Sequence, residues 1–292
     1  MAGAGGTRGG YGDGGEGQGF HDFNSQIYSS VWCFSVSDWY LRGLRMSGIS
    51  EQEQPEEARV SLKGLIHVPV PVPDEIRTAL ETHIDQTRKE KGCLQFNVVQ
   101  SKDDKSVFEV SEVFVNKAAF DMHQQRVKTS DWGLVSKDLV REYVLSDSYW
   151  MQRALELALE ARLIDEVPVG AVVVLDQKII GEGFNQPISR SDPTAHAEIM
   201  AIRQASANTG NYRLAGAVLY STIEPCSMCA GAMVHARIRR LVYGAAEPRA
   251  GAVDSTIQVL ENQGLNHRVQ VESGVMKDTC GDLISQYFKG KR

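Results

Sequence analysis

Two short segments constrain this chain more than anything else in it: Thr194-Ala195-His196-Ala197-Glu198 and Glu224-Pro225-Cys226-Ser227-Met228-Cys229. Each lies where a loop or strand end feeds a helix. Cys226 and Cys229 are three apart, so a first helical turn puts both sulfurs on one face. Backbone N–H groups and the helix dipole at such a start favour the thiolate, the form that binds metal. Pro225 suits that position, where a missing N–H costs nothing. His196 sits at another helix start and offers one ring nitrogen. The fold has to bring an imidazole and two sulfurs within reach of a single ion.

Three N/S donors fit zinc. A structural zinc site uses four protein ligands, whereas three leave a position for water, whose pKa zinc lowers from about 16 to about 7. Glu198, two residues after His196, is placed to handle a proton without being a ligand. It can take the water's proton and pass it to a ring nitrogen, then to a departing amine. Other readings stay open at this point. A redox C-x-x-C would leave His196 and Glu198 unexplained. Cys280 could complete a four-ligand structural site, or the cysteines could be a buried pair met by chance. His235 and His267 read as surface or structural residues, and Met228, Met233 and Val234 as core of the cysteine helix.

The rest of the chain divides around this constellation. Its 292 residues, 42% apolar and 23% charged, suit two soluble domains. No apolar run is long enough to span a membrane, and the start has no signal-peptide core, so neither membrane association nor secretion is expected. Five cysteines, an odd number, argue against a disulfide framework and for a reducing, cytoplasmic compartment. The net charge of −6 opposes a strongly basic nucleic-acid surface. From Asp147 onward, however, basic and acidic residues number 15 and 16, so the acidity sits mainly in the N-terminal half.

Residues 1–58 read as an extension. The first twenty hold ten of the 27 glycines and are expected to be disordered. Residues 21–50, with Trp32, Phe34, Trp39 and Tyr40, either dock on the body or precede a chain that starts at Met46. A charged linker follows, 51–59. Residues 59–145 show a β-α-β-β-α order close to a split βαβ unit: a strand at 60–70, a helix from Pro73 to Lys91 carrying Ile76, Leu80, Ile84 and Thr87, strands at 94–101 and 106–115, and a helix from Lys117 with Phe120, His123 and Val127 on one side. Residues 147–292 alternate strands and helices, the pattern of an α/β domain with helices on both faces. A helix over 149–163 points Met151, Leu155, Ala158 and Leu163 inward. Strands follow at 167–176, 178–185, 217–223 and 239–245, with helices starting near Ala195 and Cys226.

The H-x-E and P-C-x-x-C segments together resemble the signature of zinc nucleobase deaminases. Longer strings narrow this. EVPVGAVVV (166–174), IIGEGFNQPISRSDPTAHAEIMAIR (179–203), NYRL (211–214), STIEPCSMCAGAMVHARI (221–238), LVYGA (241–245) and LNHRV (265–269) make residues 148–290 similar to the bacterial tRNA adenosine deaminases. The resemblance implies an α/β/α cytidine-deaminase-like fold and hydrolysis of the wobble adenosine of a tRNA anticodon loop to inosine. It implies one Zn2+ per subunit held by His196, Cys226 and Cys229, with Glu198 shuttling protons and Asn185 contacting the nucleotide. Partners are expected to be tRNA and a second copy of the chain, with no DNA. Arg237, Arg239, Arg240, Lys289, Lys291 and Arg292 could meet RNA phosphates. Glu247-Pro248-Arg249 departs from the family's usual Asp-bearing segment there. The alternative is a zinc deaminase of a free base or nucleotide.

Residues 59–145 resemble the antibiotic biosynthesis monooxygenase (ABM) family, through the β-α-β-β order, GCLQFNVVQS (92–101), FEVSEVFVNKAAFDMH (108–123) and Trp132. That implies an α+β ferredoxin-like domain of the dimeric barrel type. His67, Asn97, His123 and Trp132 are its candidate cavity residues. Either this half oxidises or senses a small molecule, or it only binds and dimerises; a gene model joining two neighbouring proteins is a further reading.

Overall fold

Alternating apolar and polar residues fold the first half around one sheet. The computed structural model describes residues 56–291. The readings made for 1–50 and for Arg292 lie outside those residues. Strands β1 (Val60–His67), β2 (Cys93–Gln100), β3 (Val107–Phe114) and β4 (Arg141–Leu145) form an antiparallel sheet in the order β2-β3-β1-β4. Val60, Leu62, Ile66, Val110 and Phe114 point to one face. Helices α1 (Asp74–Arg88), α2 (Lys117–Thr129) and α3 (Asp131–Val135) cover it with Ile76, Leu80, Phe120 and Trp132. Asn116 starts α2 as its cap, accepting from the Ala119 N–H at 2.9 Å. The expected β-α-β-β-α order is present, and α3 and β4 extend it. Strand β4 reads Arg-Glu-Tyr-Val-Leu and buries little, so its sequence carries a weak strand pattern.

The second half is built on β5 (Gly170–Leu175), β6 (Lys178–Phe184), β7 (Val218–Ile223), β8 (Arg240–Ala245) and β9 (Gln270–Ser273), in the order β6-β5-β7-β8-β9. Pairing is antiparallel from β6 to β7 and parallel from β7 to β9. Helices lie on both faces. On one, α4 (Asp147–Leu163) and α8 (Lys277–Lys289) pack against Val172, Val174, Tyr220 and Val242. On the other, after the single turn α5 (Pro187–Arg190), α6 (Ala197–Thr209) and α7 (Ser227–Ala236) pack against Ala171, Val173, Leu219 and Leu241. The near-continuous apolar runs of β5, β7 and β8 are what burial on two faces requires.

One expectation fails. Leu163 does not point inward with Met151, Leu155 and Ala158 but is 68% exposed. It is the last residue of α4 and lies about 120° around the helix from Met151, off the buried face.

The halves meet at α4. Its buried Gln152 donates through Nε2 to the Ala58 carbonyl and accepts through Oε1 from the Lys117 N–H, both at 2.8 Å. Tyr149 packs edge-on against Phe120, and Glu57 accepts from Thr279 Oγ1 at 2.6 Å.

Candidate metal centre

The site lies where two helices begin. His196 is the N-cap of α6 and Cys226 the N-cap of α7, both in extended backbone; Glu198 and Cys229 fall within the first turns. Small residues set α6 in place. A Cβ on Gly183 would lie 2.3 Å from the Ala197 carbonyl oxygen, and one on Gly181 at the same distance from that of Ala201. Glycine at both positions lets α6 press onto β6, and Ala197, Ala201 and Ala205 at fourfold spacing supply the matching stripe.

This packing brings three donor atoms together. Cys226 Sγ lies 3.6 Å from His196 Nδ1, Cys229 Sγ lies 3.7 Å from the same nitrogen, and the sulfurs are 3.7 Å apart. Zinc bonds of about 2.3 Å to sulfur and about 2.05 Å to nitrogen at tetrahedral angles need edges of about 3.6 Å between N and S and about 3.8 Å between sulfurs. The triangle fits one such ion. Among the described residues it is the only His/Cys/Asp/Glu cluster of this kind. Cys280 is no fourth donor: it belongs to the core on the other face of the sheet, against Gly244. His235 is exposed on α7, and His267 Nε2 donates to the Ile238 carbonyl at 2.7 Å. Met233 and Val234 are buried core, with Met228 half-buried beside them.

A hydrogen bond between the two sulfurs, with help from His196, holds the Cys226 thiol down at about 3 despite its burial. The Cys229 thiol is pushed far up by the same bond and by burial. His196 is shifted up by its bond to Cys226.

Glu198 stands beside the triangle, its Oε2 3.5 Å from Cys229 Sγ. Burial pushes its carboxyl above the ordinary carboxylate value. Ser221, fully buried on β7, points its hydroxyl at Glu198 Oε1 from 3.5 Å. Ser221 escaped the sequence reading. Its signal is parity: it shares the face of Leu219, so a hydroxyl replaces an apolar side chain at a core-facing position. Asn185, buried at the end of β6, accepts from the Ala197 N–H at 2.9 Å, between His196 and Glu198. Its amide nitrogen has no protein partner among the described residues.

The remaining expected contacts divide. Arg240 is not available to RNA phosphates. Its guanidinium is bonded to both oxygens of Asp147 at 2.9 and 2.7 Å and to Glu272, which satisfies its charge locally. Lys291 pairs with Asp165, and Arg237 with the Asn266 carbonyl and side chain. The four candidate cavity residues of the first half do not share a cavity. His123 and Trp132 are buried on the helix side, whereas His67 pairs with Glu142 on the uncovered face and Asn97 lines a groove there with Lys63, Leu65 and Val99. Strand parity separates them.

A metal-binding triangle, a buried carboxyl beside it and a five-stranded sheet sandwiched by helices define a hydrolytic deaminase-type site. Residues 145–245 match the model of the cytidine and deoxycytidylate deaminase zinc-binding region, and residues 66–132 that of the antibiotic biosynthesis monooxygenases. A tRNA-specific adenosine deaminase of Haemophilus influenzae is 48% identical over 147 residues, 50% of this chain and 85% of the relative. One from Buchnera aphidicola is 43% identical over 146 residues, 50% of this chain and 96% of the relative. A solved structure from a study of A-to-I editing by tRNA:A34 deaminases is 44% identical, covers 47% of this chain and 99% of that one, and has a TM-score of 0.46. The chain belongs to the tRNA-specific adenosine deaminase family, and its cofactor is zinc, one ion per subunit.

Proposed function

We propose that residues 147–292 convert the wobble adenosine of a tRNA anticodon loop to inosine, in the cytoplasm, and that residues 59–145 form an accessory ABM-like domain. The observation that carries this is the triangle of His196, Cys226 and Cys229 with buried Glu198 at its edge, in a half of the chain that is 48% identical to a protein named tRNA-specific adenosine deaminase. His196 Nδ1 and the two sulfurs would hold the zinc, which would supply a water acidic enough to react at neutral pH. Glu198 takes a proton from the attacking water and delivers it to the adenine ring nitrogen; it then takes the proton of the hydroxyl just added to the ring carbon and passes it to the exocyclic amine, which leaves as ammonia as that C–N bond breaks and the carbonyl forms. Its burial suits both halves of that cycle, because desolvation disfavours the charged form and raises the carboxyl's affinity for a proton. Ser221 steadies the carboxylate. Asn185 orients the α6 start with its oxygen and offers its amide nitrogen to the nucleotide. An anticodon-loop base is already unpaired, so its entry into the pocket costs less than flipping from a duplex.

We infer a homodimer as the working form. The outer face of the first sheet has no covering helix among the described residues, and it presents Val99 and Val144 at 60% and 62% exposure beside the groove at Asn97. No helix among the described residues is long and apolar enough to cross a membrane. The four described cysteines are unpaired, which suits a reducing compartment.

The test is purified protein with an anticodon stem-loop. Inosine is expected in the loop, and Glu198→Ala abolishes it while zinc stays bound. Reaction of free guanine or cytidine with an unreacted stem-loop would overturn the substrate.

A further inference from the structure

Glu224, two residues before Cys226, is a buried carboxylate that the proposed chemistry does not use. Every hydrogen bond of its carboxylate goes to the segment after β8. Oε1 accepts from the N–H groups of Val253, Asp254 and Ser255 at 3.1, 2.8 and 2.8 Å. Oε2 accepts from the Glu247 N–H at 3.0 Å and from Ser255 Oγ. Four backbone donors on one carboxylate curl residues 247–255 around it. The backbone completes the fastening: Ala252 N–H donates to the Pro225 carbonyl at 2.9 Å, and Cys226 pairs with Gly251 in an isolated bridge. Gly251 is required there, since a Cβ would lie 2.4 Å from Glu224 Cδ. The clamped segment therefore lies along Cys226, the half-exposed sulfur of the triangle, whereas Cys229 is sealed in the core.

We propose that Glu224 is a positioning residue of the metal centre: by locking the 247–255 loop to the turn that carries Cys226, it fixes the outer sulfur and the wall beside it. This rests on the zinc-deaminase reading, so the readouts are chosen to be independent of turnover. Glu224→Gln is the discriminating substitution. A glutamine keeps one oxygen for the three N–H groups of 253–255 but turns an NH2 toward the Glu247 N–H, two donors face to face. The 247–250 end of the loop is released while the rest stays held. Ser255→Ala removes only the hydroxyl contact and is the milder second variant should Glu224→Gln fold poorly.

The experiment uses the full-length zinc-loaded protein. Zinc transfer to a chromogenic chelator is timed, and tryptic cleavage after Arg249, exposed in the loop, is followed in parallel. Partners that orient a ligand rather than bind the metal change affinity by about 10–100-fold. Zinc loss is expected to be about tenfold faster in Glu224→Gln and faster to a smaller degree in Ser255→Ala. Cleavage after Arg249 accelerates in the same order, and the far-UV circular dichroism stays that of the parent. Cobalt-substituted protein is expected to show a shifted thiolate-to-cobalt band in Glu224→Gln. Parental zinc release and an unshifted cobalt band in both variants would overturn the proposal, because the carboxylate would then only anchor a loop. If the parent protein retains zinc but leaves the stem-loop unreacted, the substrate reading fails and these readouts still decide the role of Glu224.

Discussion

Gln152 is the buried side chain that bonds to the first half at two points, and replacing it tests whether the halves behave as one body. In Gln152→Leu the Ala58 carbonyl, in a fully buried residue, loses its donor. An unsatisfied buried acceptor costs about 1–3 kcal/mol. The Lys117 N–H at the start of α2 loses its acceptor as well, a capping loss of about 1 kcal/mol. Leucine fills a similar volume, so little cavity term is added. The sum is about 2–4 kcal/mol, a large share of the stability of an ordinary domain. Urea denaturation of parent and variant, followed by circular dichroism, measures it. The loss should appear as a lower midpoint, and a fragment cut near residue 146 should be destabilised in the same direction, because it lacks Ala58 and Lys117 altogether. A change below about 0.5 kcal/mol, the size of an ordinary surface substitution, would refute the idea that Gln152 joins the halves.

Further expectations concern pH, metal and assembly. Burial and the neighbouring Glu90 push the Glu112 carboxyl up to about 8, and its Oε2 has no hydrogen-bond partner among the described residues. A raised folded-state pKa means stability present at low pH and lost as pH climbs from the ordinary carboxylate range toward about 8. The melting temperature of the parent relative to Glu112→Gln should therefore fall as pH rises from 5 to 8; parallel profiles would contradict it. Removing zinc with a chelator should lower the melting temperature and adding zinc should restore it, since an ion bound only by the folded state stabilises it by mass action. Light scattering at micromolar concentration should return twice the 32.2 kDa chain mass; Val144→Lys on the uncovered sheet face should reduce that to one.

The chemistry was more legible in the sequence than the scaffold around it. Ligand spacing on helix starts is local: H-x-E and P-C-x-x-C fix which atoms share a face whatever the rest of the fold does, and the structure brings His196, Cys226 and Cys229 to within 3.7 Å. Long apolar runs such as 170–175 and 218–223 gave central strands. Edge elements were harder to see. Strand β9, Gln-Val-Glu-Ser, is exposed throughout and has no alternation to detect. Helix α8 carries its apolar face in only a few residues, Cys280 and Leu283 among them. Charges misled for a different reason. Arg240 reads as free in one dimension, and only the fold supplies Asp147 and Glu272 as its partners. Glu224 was invisible because its partners are backbone groups and a hydroxyl from a distant segment, and hydrogen bonds of that kind leave no pattern in sequence; Ser221 left only its parity, a hydroxyl at a core-facing position.

The most direct test of the account is X-ray absorption at the zinc edge of the purified protein. Two sulfurs at about 2.3 Å and nitrogen or oxygen donors at about 2.0–2.1 Å are expected. A shell of four sulfurs, or a single sulfur, would contradict the assignment of His196, Cys226 and Cys229 and with it the chemistry built on them.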